Sequence, residues 1–503
     1  MQSPSSDTAF FGHPRGLATL FFTEYWERFS YYGMRALLIL FMTAPLASGG
    51  LGFATPKAAA IYAAYVGAVY LMALPGGWMA DHFFGQRRAT LYGGIVIMCG
   101  HISLAIPTLT GFYAGLLMVI VGTGLLKPNV SAMVGQLYTP EDHRRDAGFS
   151  LYYMGINLGA FVAPFLTGWL AQSAAAQGLL VRMGVNPESS WHWGFAVAAV
   201  GMFCGLIQYT RGWKHLGDAG LEVPEAHSPE ARASRNLKFG AGVLGVAGFA
   251  AVVAVLSSTG RLVITPELVS QWFGILLLAI VISVFALLLL SKSWTPRERK
   301  QVIVILVLFV SSAIFWALYE QAGSTLNLFA QRNTDSSLFG HAFPPSWFQS
   351  VPALFVITLA PVFAWIWVRL GDREPGFTAK FTIGLVLVSL GFAVLIFPAS
   401  RSGLASPLWL VLTYLLHVMG ELCLSPVGLS AMTRLAPPRV AGMMMGVWFL
   451  ATSVGSFLAG RVAGLYEAFS LPALFGVVAA AAMVAAVIMA LLIRPIRRML
   501  ASG

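Results

Sequence analysis

Fourteen apolar runs, each 20 residues or longer, follow one another along the 503-residue chain. They cover roughly 16–44, 56–80, 89–108, 110–137, 147–172, 191–211, 237–257, 267–290, 299–330, 343–369, 376–398, 405–435, 438–466 and 470–494. A helical run of that length crosses the hydrocarbon core of a bilayer, where only backbone that is hydrogen-bonded internally is tolerated. The runs do not alternate apolar and polar positions, so the crossing elements are helices and not barrel strands. Charged residues make up 10% of the chain, against about 25% in a soluble domain. The expected fold class is an all-α polytopic membrane protein with 14 transmembrane helices.

An even number of crossings puts both termini on one side. Of 31 Lys and Arg residues, 22 fall in the loops on that side and five (Lys57, Arg182, Arg261, Arg332 and Arg401) in the loops opposite. Cytoplasmic loops carry the excess of positive charge, which predicts cytoplasmic termini in a bacterial inner membrane. The same asymmetry accounts for the net charge of +11, so no nucleic-acid partner is expected. Cys99, Cys204 and Cys423 lie in apolar runs without CxxC spacing and predict neither a disulfide framework nor a metal site. Residues 1–15 lack the charged start of a signal peptide, and the first apolar run is too long to be a cleaved one.

The chain repeats itself. Gly122 to Pro140 (GTGLLKPNVSAMVGQLYTP) matches Gly420 to Pro438 (GELCLSPVGLSAMTRLAPP), and Ala147-Gly148 and Gly159-Ala160-Phe161 match Ala441-Gly442 and Gly455-Ser456-Phe457. The offset stays between 294 and 298 residues, and both copies enter the membrane from the same side. Such parallel repeats relate the two six-helix halves of major facilitator transporters. The expected organisation is an N-terminal six-helix bundle (1–211), a cytoplasmic linker with an accessory transmembrane hairpin (212–298), and a C-terminal six-helix bundle (299–503). The hairpin holds Gly240, Gly242, Gly245 and Gly248, a spacing that lets helices pack closely, and is expected to face lipid without transport chemistry.

Seven charged residues lie deep inside the runs, with those nearer the run ends, such as Arg461, left aside: Glu24, Glu27, Arg28, Arg35, Lys127, Glu320 and Glu421. Charges at that depth are costly and mark function. At 100° per residue, Glu24, Arg28, Tyr31 and Arg35 share one stripe, which Glu27 flanks. Fully ionised, the seven carry one net negative charge, so uptake of one proton neutralises them; Arg keeps its proton, and a carboxylate must take it. Gly124 to Pro128 and Glu421 to Pro426 each set an ionisable residue beside a proline at equivalent places of the repeat, and are expected to break their helices at a binding site. Tyr31, Tyr32, Tyr70, Tyr153, Trp316, Trp448 and Phe449 lie at mid-span depth and are candidate cavity walls. His101, His192 and His417 are isolated, and no nucleophile–base pair suggests an enzyme.

These residues resemble the proton-dependent oligopeptide transporter family of the major facilitator superfamily. Glu24-Tyr25-Trp26-Glu27-Arg28 is similar to its ExxER motif. Gly76-Gly77-Trp78-Met79-Ala80-Asp81 with Gly85 and Arg87 is similar to its loop signature, and Tyr152 to Gly159 to its FYxxINxG motif. Phe315 to Gln321 looks like its seventh transport helix. The resemblance implies proton-driven import of di- and tripeptides, with protons as the coupling ion, no other cofactor, and a chain that works as a monomer. It implies that Glu24, Glu27, Arg28 and Glu320 belong to proton coupling. Arg35 would pair with Glu320, and Lys127 with Glu421, as gates. Arg28, Arg35 and Lys127 would meet the peptide carboxylate, and Asn157 and Glu421 its amine. Tyr31, Tyr32, Tyr70, Trp316, Glu320, Ser425, Trp448 and Phe449 would complete the peptide site.

Three positions depart from the family pattern. Pro352 stands where the family often has Asn, which removes a contact for the peptide amine. Tyr152 replaces Phe and Ala160 replaces Ser; both changes look minor. Another solute on the same fold, such as nitrate or a peptide-like drug, and a non-transporting peptide sensor remain as alternatives; Glu421, a carboxylate suited to an amine, speaks against nitrate.

Overall fold

A computed structural model describes residues 7–139, 142–221, 229–291, 294–338, 340–437, 440 and 443–501. Pro438, Arg439, Ala441-Gly442, Lys292 and residues 222–228 of the expected linker lie outside the described residues. Each of the fourteen expected spans corresponds to a helix. They are α1 (Arg15–Thr43), α2 (Thr55–Leu71) with its continuation α3 (Ala73–Met79), α4 (Gln86–Leu104), α5 (Leu109–Gln136), α6 (Arg145–Gln172), α8 (Ser190–Gly212), α9 (Pro229–Ser258), α10 (Pro266–Leu290), α11 (Pro296–Tyr319) with its continuation α12 (Thr325–Asn333), α13 (Ser350–Leu370), α14 (Phe377–Ala399), α15 (Pro407–Leu435), α16 (Met444–Ala463) and α17 (Leu471–Ala501). A short helix, α7 (Ala174–Arg182), and a hairpin pairing Ser337–Leu338 with His341–Ala342 lie in loops on the face away from the termini.

Among the described residues, apolarity alone marks eleven of these helical segments as membrane-crossing, and α1 and α4 fall short. The shortfall of α1 comes from its charges, since every 18-residue window of it holds at least three ionisable residues. It crosses because the charged stripe is turned inward: α1 packs against α6 and α8, with Glu24, Glu27 and Arg28 fully buried. Among the first helices, α4 and α5 lie closest. A Cβ on Gly93 would strike the Gly122 carbonyl oxygen, and one on Gly122 the Gly93 carbonyl oxygen, so only glycine permits this backbone contact. In the second half α14 packs between α15 and α17, and α16 against α11. The halves meet along α2 with α16 and α6 with α13.

Three expectations about the backbone are corrected. Pro128 and Pro426 sit inside continuous helices α5 and α15, so neither repeat segment breaks its helix. For Pro128 the residue four before it, where a proline ring crowds the carbonyl, is Gly124, which leaves room for a bend. The backbone is irregular elsewhere: a 3₁₀ turn at Glu320–Gly323 separates α11 from α12, and a π-helical turn at Ala80–Phe84 ends the α2–α3 span. The α9 glycines have no close neighbour among the described residues either; a Cβ on Gly240, Gly242, Gly245 or Gly248 would meet nothing there within 4 Å. One edge of α10, by contrast, lies on the seam between the halves, touching α2, α11 and α16. Its Phe273 ring is 5.6 Å from that of Phe457 and covers Gly67.

Candidate functional site

The charged stripe of α1 resolves into two clusters. In the first, the Arg28 guanidinium forks onto both oxygens of Glu27. Its Nε is 3.5 Å from Glu24 Oε1. Glu24 is therefore the less tightly held acid, and its other oxygen accepts a 2.7 Å hydrogen bond from the Tyr152 hydroxyl of α6. Arg28 also lies over Tyr31, 4.7 Å from the ring centroid, with Tyr32 at 5.8 Å.

The second cluster joins the two halves. Arg35 Nη2 lies 2.5 Å from Glu320 Oε2 and donates to the Glu320 backbone carbonyl at 3.2 Å. That carbonyl is available because α11 ends at Tyr319 and the chain tightens into its 3₁₀ turn. A cation at a helix C-terminus also answers the partial negative charge of the unpaired carbonyls. Arg35 Nε donates to the Tyr62 hydroxyl of α2 at 2.8 Å, and the Arg35 guanidinium lies 5.7 Å from the Tyr32 ring. Tyr70, also on α2 and buried, is in electrostatic reach of Glu320, Tyr31 and Arg35.

Glu421 forms a third centre. Its Oε1 accepts from the Tyr153 hydroxyl of α6 at 3.3 Å, with Tyr319 close to the same carboxylate. Asn157, one turn beyond Tyr153, donates to the Tyr153 carbonyl at 3.0 Å, so the Asn157 amide is oriented beside this centre. The Trp316 ring is 5.5 Å from that of Tyr319. Glu421 Oε2, Trp316 Nε1 and the Tyr31 hydroxyl are buried with no hydrogen-bond partner among the described residues. A buried polar atom left unpaired costs about 1–3 kcal/mol, so each of these favours a polar solute or water beside it.

The expected Lys127–Glu421 pair is not made. Lys127 forms no ion pair among the described residues; the carboxylates in its electrostatic reach are Glu24, Glu27 and Glu320. Ser425 and Phe449 are half-buried, whereas Trp448 packs over Gly428 beside Phe381, a contact within the second half. His417 is turned from Glu421 into the seam with α14, against Phe392 and Gly391. A groove of about 440 Å³ between α11 and α17 is lined by aliphatic residues with Ser311 and Met489, and lies on the outer surface, remote from these charges.

The ties between the halves are unevenly placed. On the face away from the termini, Glu467, whose Oε1 lies 2.8 Å from Arg332 Nη1 of the same half, accepts a hydrogen bond from Thr55 of the first half. Trp347 Nε1 donates to the Phe165 carbonyl at 3.2 Å, and Asn327 Nδ2 to the Ala36 carbonyl at 2.9 Å. At mid-depth Ser453 donates to the Gly67 carbonyl at 2.7 Å. Nearer the termini, Tyr153 is 37% exposed although its hydroxyl spans the seam. Contacts between the halves thus close the far face over the buried central charges.

A profile of the POT family matches residues 87–480. The chain belongs to the POT family. It is 41% identical to the peptide transporter YePEPT of Yersinia enterocolitica, over 98% of this chain and 96% of that protein. It is 35% identical to a di-/tripeptide transporter of Lactococcus lactis, over 98% of both chains. The crystal structure of the peptide transporter POT in complex with sulfate superposes on this POT-family chain with a TM-score of 0.88 at 43% identity, covering 99% of this chain and 98% of that one. The fold is accordingly the major facilitator fold, two helix bundles with two additional helices between them.

Tyr62 and Tyr152 hold the two charge clusters; Tyr152 stood out in the sequence only as a minor departure from Phe, and neither was a candidate site residue. A signal for Tyr62 was present: a phenol in the alanine-rich run Ala58 to Ala64 needs a polar partner within the membrane.

Proposed function

We propose that this chain is a proton-coupled symporter that imports di- and tripeptides by alternating access, in a bacterial cytoplasmic membrane with both termini in the cytoplasm. The observation that carries this reading is the division of the buried charges between the halves. Glu24, Glu27, Arg28, Arg35 and Lys127 stand on one side and Glu320 and Glu421 on the other, joined by Arg35–Glu320. With cytoplasmic termini the arrangement faces inward, its outer side latched. A peptide is a zwitterion with constant ends and variable side chains. Arg28, Arg35 and Lys127 can hold the carboxylate, where a guanidinium fork binds both oxygens. Glu421 and Asn157 can hold the amine, and Tyr31, Tyr32, Tyr70, Trp316, Ser425 and Phe449 leave room for variety between.

Protonation of Glu320 weakens its hold on Arg35 and frees the outer face to open. Glu24 carries the coupling proton in the first half, since Arg28 is already committed to Glu27. Lys127 and Glu421, apart here, pair across the seam when the inner side closes. Bundles 1–211 and 299–503 rock about the seam that α10 borders, and a single chain suffices. The membrane potential contributes about 2.3 kcal/mol per charge per 100 mV.

Glu24→Gln in proteoliposomes is expected to abolish pH-gradient-driven accumulation of a dipeptide while sparing counterflow exchange. Uphill uptake at the unaltered rate in that variant would refute the assignment.

A further inference from the structure

Tyr152 stands where the family signature carries Phe, and the extra hydroxyl has a definite use. It donates to Glu24 Oε2 at 2.7 Å, and the Ser131 hydroxyl of α5 lies 3.2 Å from it. Tyr152 is 5% exposed and Glu24 fully buried, so water does not compete for the bond. We infer that Tyr152 is a positioning residue that sets the pH at which Glu24 takes up its proton.

The chemistry follows from the groups around Glu24. From its own helix Glu27 and Arg28 face it, from α5 Lys127, and from α6 Tyr152. Glu27 opposes a second negative charge, and Arg28, forked onto Glu27, reaches Glu24 only at 3.5 Å. The phenol is therefore the short neutral contact to this carboxylate. An ionised carboxylate accepts such a bond more strongly than a protonated one, so the bond favours the charged form. A phenylalanine ring would fill the same space without that preference. Tyr152 thus makes Glu24 release its proton more readily on the inner side, and a chain with Phe here would hold the proton to higher pH.

The inference rests on the symport reading, and the experiment separates the two. The full-length protein and its Tyr152→Phe variant are reconstituted in proteoliposomes. Initial pH-gradient-driven uptake of labelled dialanine is measured across internal pH, and counterflow exchange at symmetrical pH. The midpoint of driven uptake is expected to move upward by about one pH unit, the size of one hydrogen bond to a charged group. Exchange should stay within twofold in KM. In a Glu24→Gln background, Tyr152→Phe should leave exchange unchanged, because the acid it acts through is gone. Superimposable pH profiles in a protein whose uptake is proton-driven would overturn the inference alone, as would equal losses of exchange in both backgrounds. Absence of driven uptake in the unaltered protein would overturn the symport reading and this inference with it.

Discussion

Arg35 meets Glu320 twice, through the carboxylate at 2.5 Å and through the backbone carbonyl at 3.2 Å. The double contact joins α1 of the first half to the point where α11 of the second half stops. Side-chain charge and helix end are thereby read by one guanidinium, and a movement that separates the halves must give up both. Protonating the carboxylate removes only the first contact, which leaves the latch weakened and not lost.

Truncating both partners of this pair should therefore cost less than the two single truncations add up to. Glu320→Ala leaves Arg35 buried without its counter-charge, at about 3–5 kcal/mol for such a pair. The thermal midpoint in detergent is expected to fall sharply in Glu320→Ala and in Arg35→Ala, with the double variant losing less than the sum. Strict additivity would mean that the two charges do not stabilise each other.

Tyr62 offers a milder perturbation of the same latch. Tyr62→Phe keeps the ring and removes the 2.8 Å bond to Arg35 Nε. A hydrogen bond to a charged group contributes about 1.5–3 kcal/mol. Spin labels at exposed Leu46 and His341, on the outer ends of opposite halves, should show a larger fraction of long distances in this variant. An unchanged distance distribution would remove Tyr62 from the gate.

The fold was legible because bilayer length and the parallel repeat are one-dimensional signals, and the fourteen runs correspond to fourteen helices. The charge stripe of α1 was legible for the same reason, being one helix face. What the sequence hid were contacts between helices. Tyr152 looked like a minor change from Phe until α6 brought its hydroxyl to Glu24. Pro128 and Pro426 looked like breaks, whereas the break that positions a charge falls at Glu320, where no proline marks it. Lys127 and Glu421 lie in the two matching repeat segments, four positions apart in register, and the distance between them depends on how the helices of the two halves pack, which the sequence does not carry.

Two glycines of the same chain should behave oppositely. Gly93→Leu would drive a side chain into the Gly122 carbonyl on α5, an overpacking that costs about 1–3 kcal/mol. At Gly248 on α9 an added Cβ meets nothing within 4 Å among the described residues. Thermal stability in detergent is expected to drop for the first and to hold for the second. A comparable drop for Gly248→Leu would place α9 in tight contact with a neighbouring helix.

The outer latch at Glu467 should respond to acid. The hydrogen bond from Thr55, followed by that from Arg332, holds the Glu467 carboxyl below its usual value of 4.5. A carboxyl lowered in the folded state stabilises that state above its ordinary value, and the contribution is lost as pH falls through the lowered one. The Glu467 side chain is 54% exposed, so its contacts are worth no more than about 1 kcal/mol, and the hydrogen bond from Thr55, which crosses between the halves, bears on opening of the outer face and not on global folding. Lowering the external pH from neutral to below 4.5 is therefore expected to lengthen the Leu46–His341 label distance. Glu467→Gln should start from the lengthened state and lose that response, since it cannot titrate. If Glu467→Gln kept the full acid response, some other group would be the one that titrates, and the Arg332–Glu467–Thr55 contact would be a passive consequence of closure.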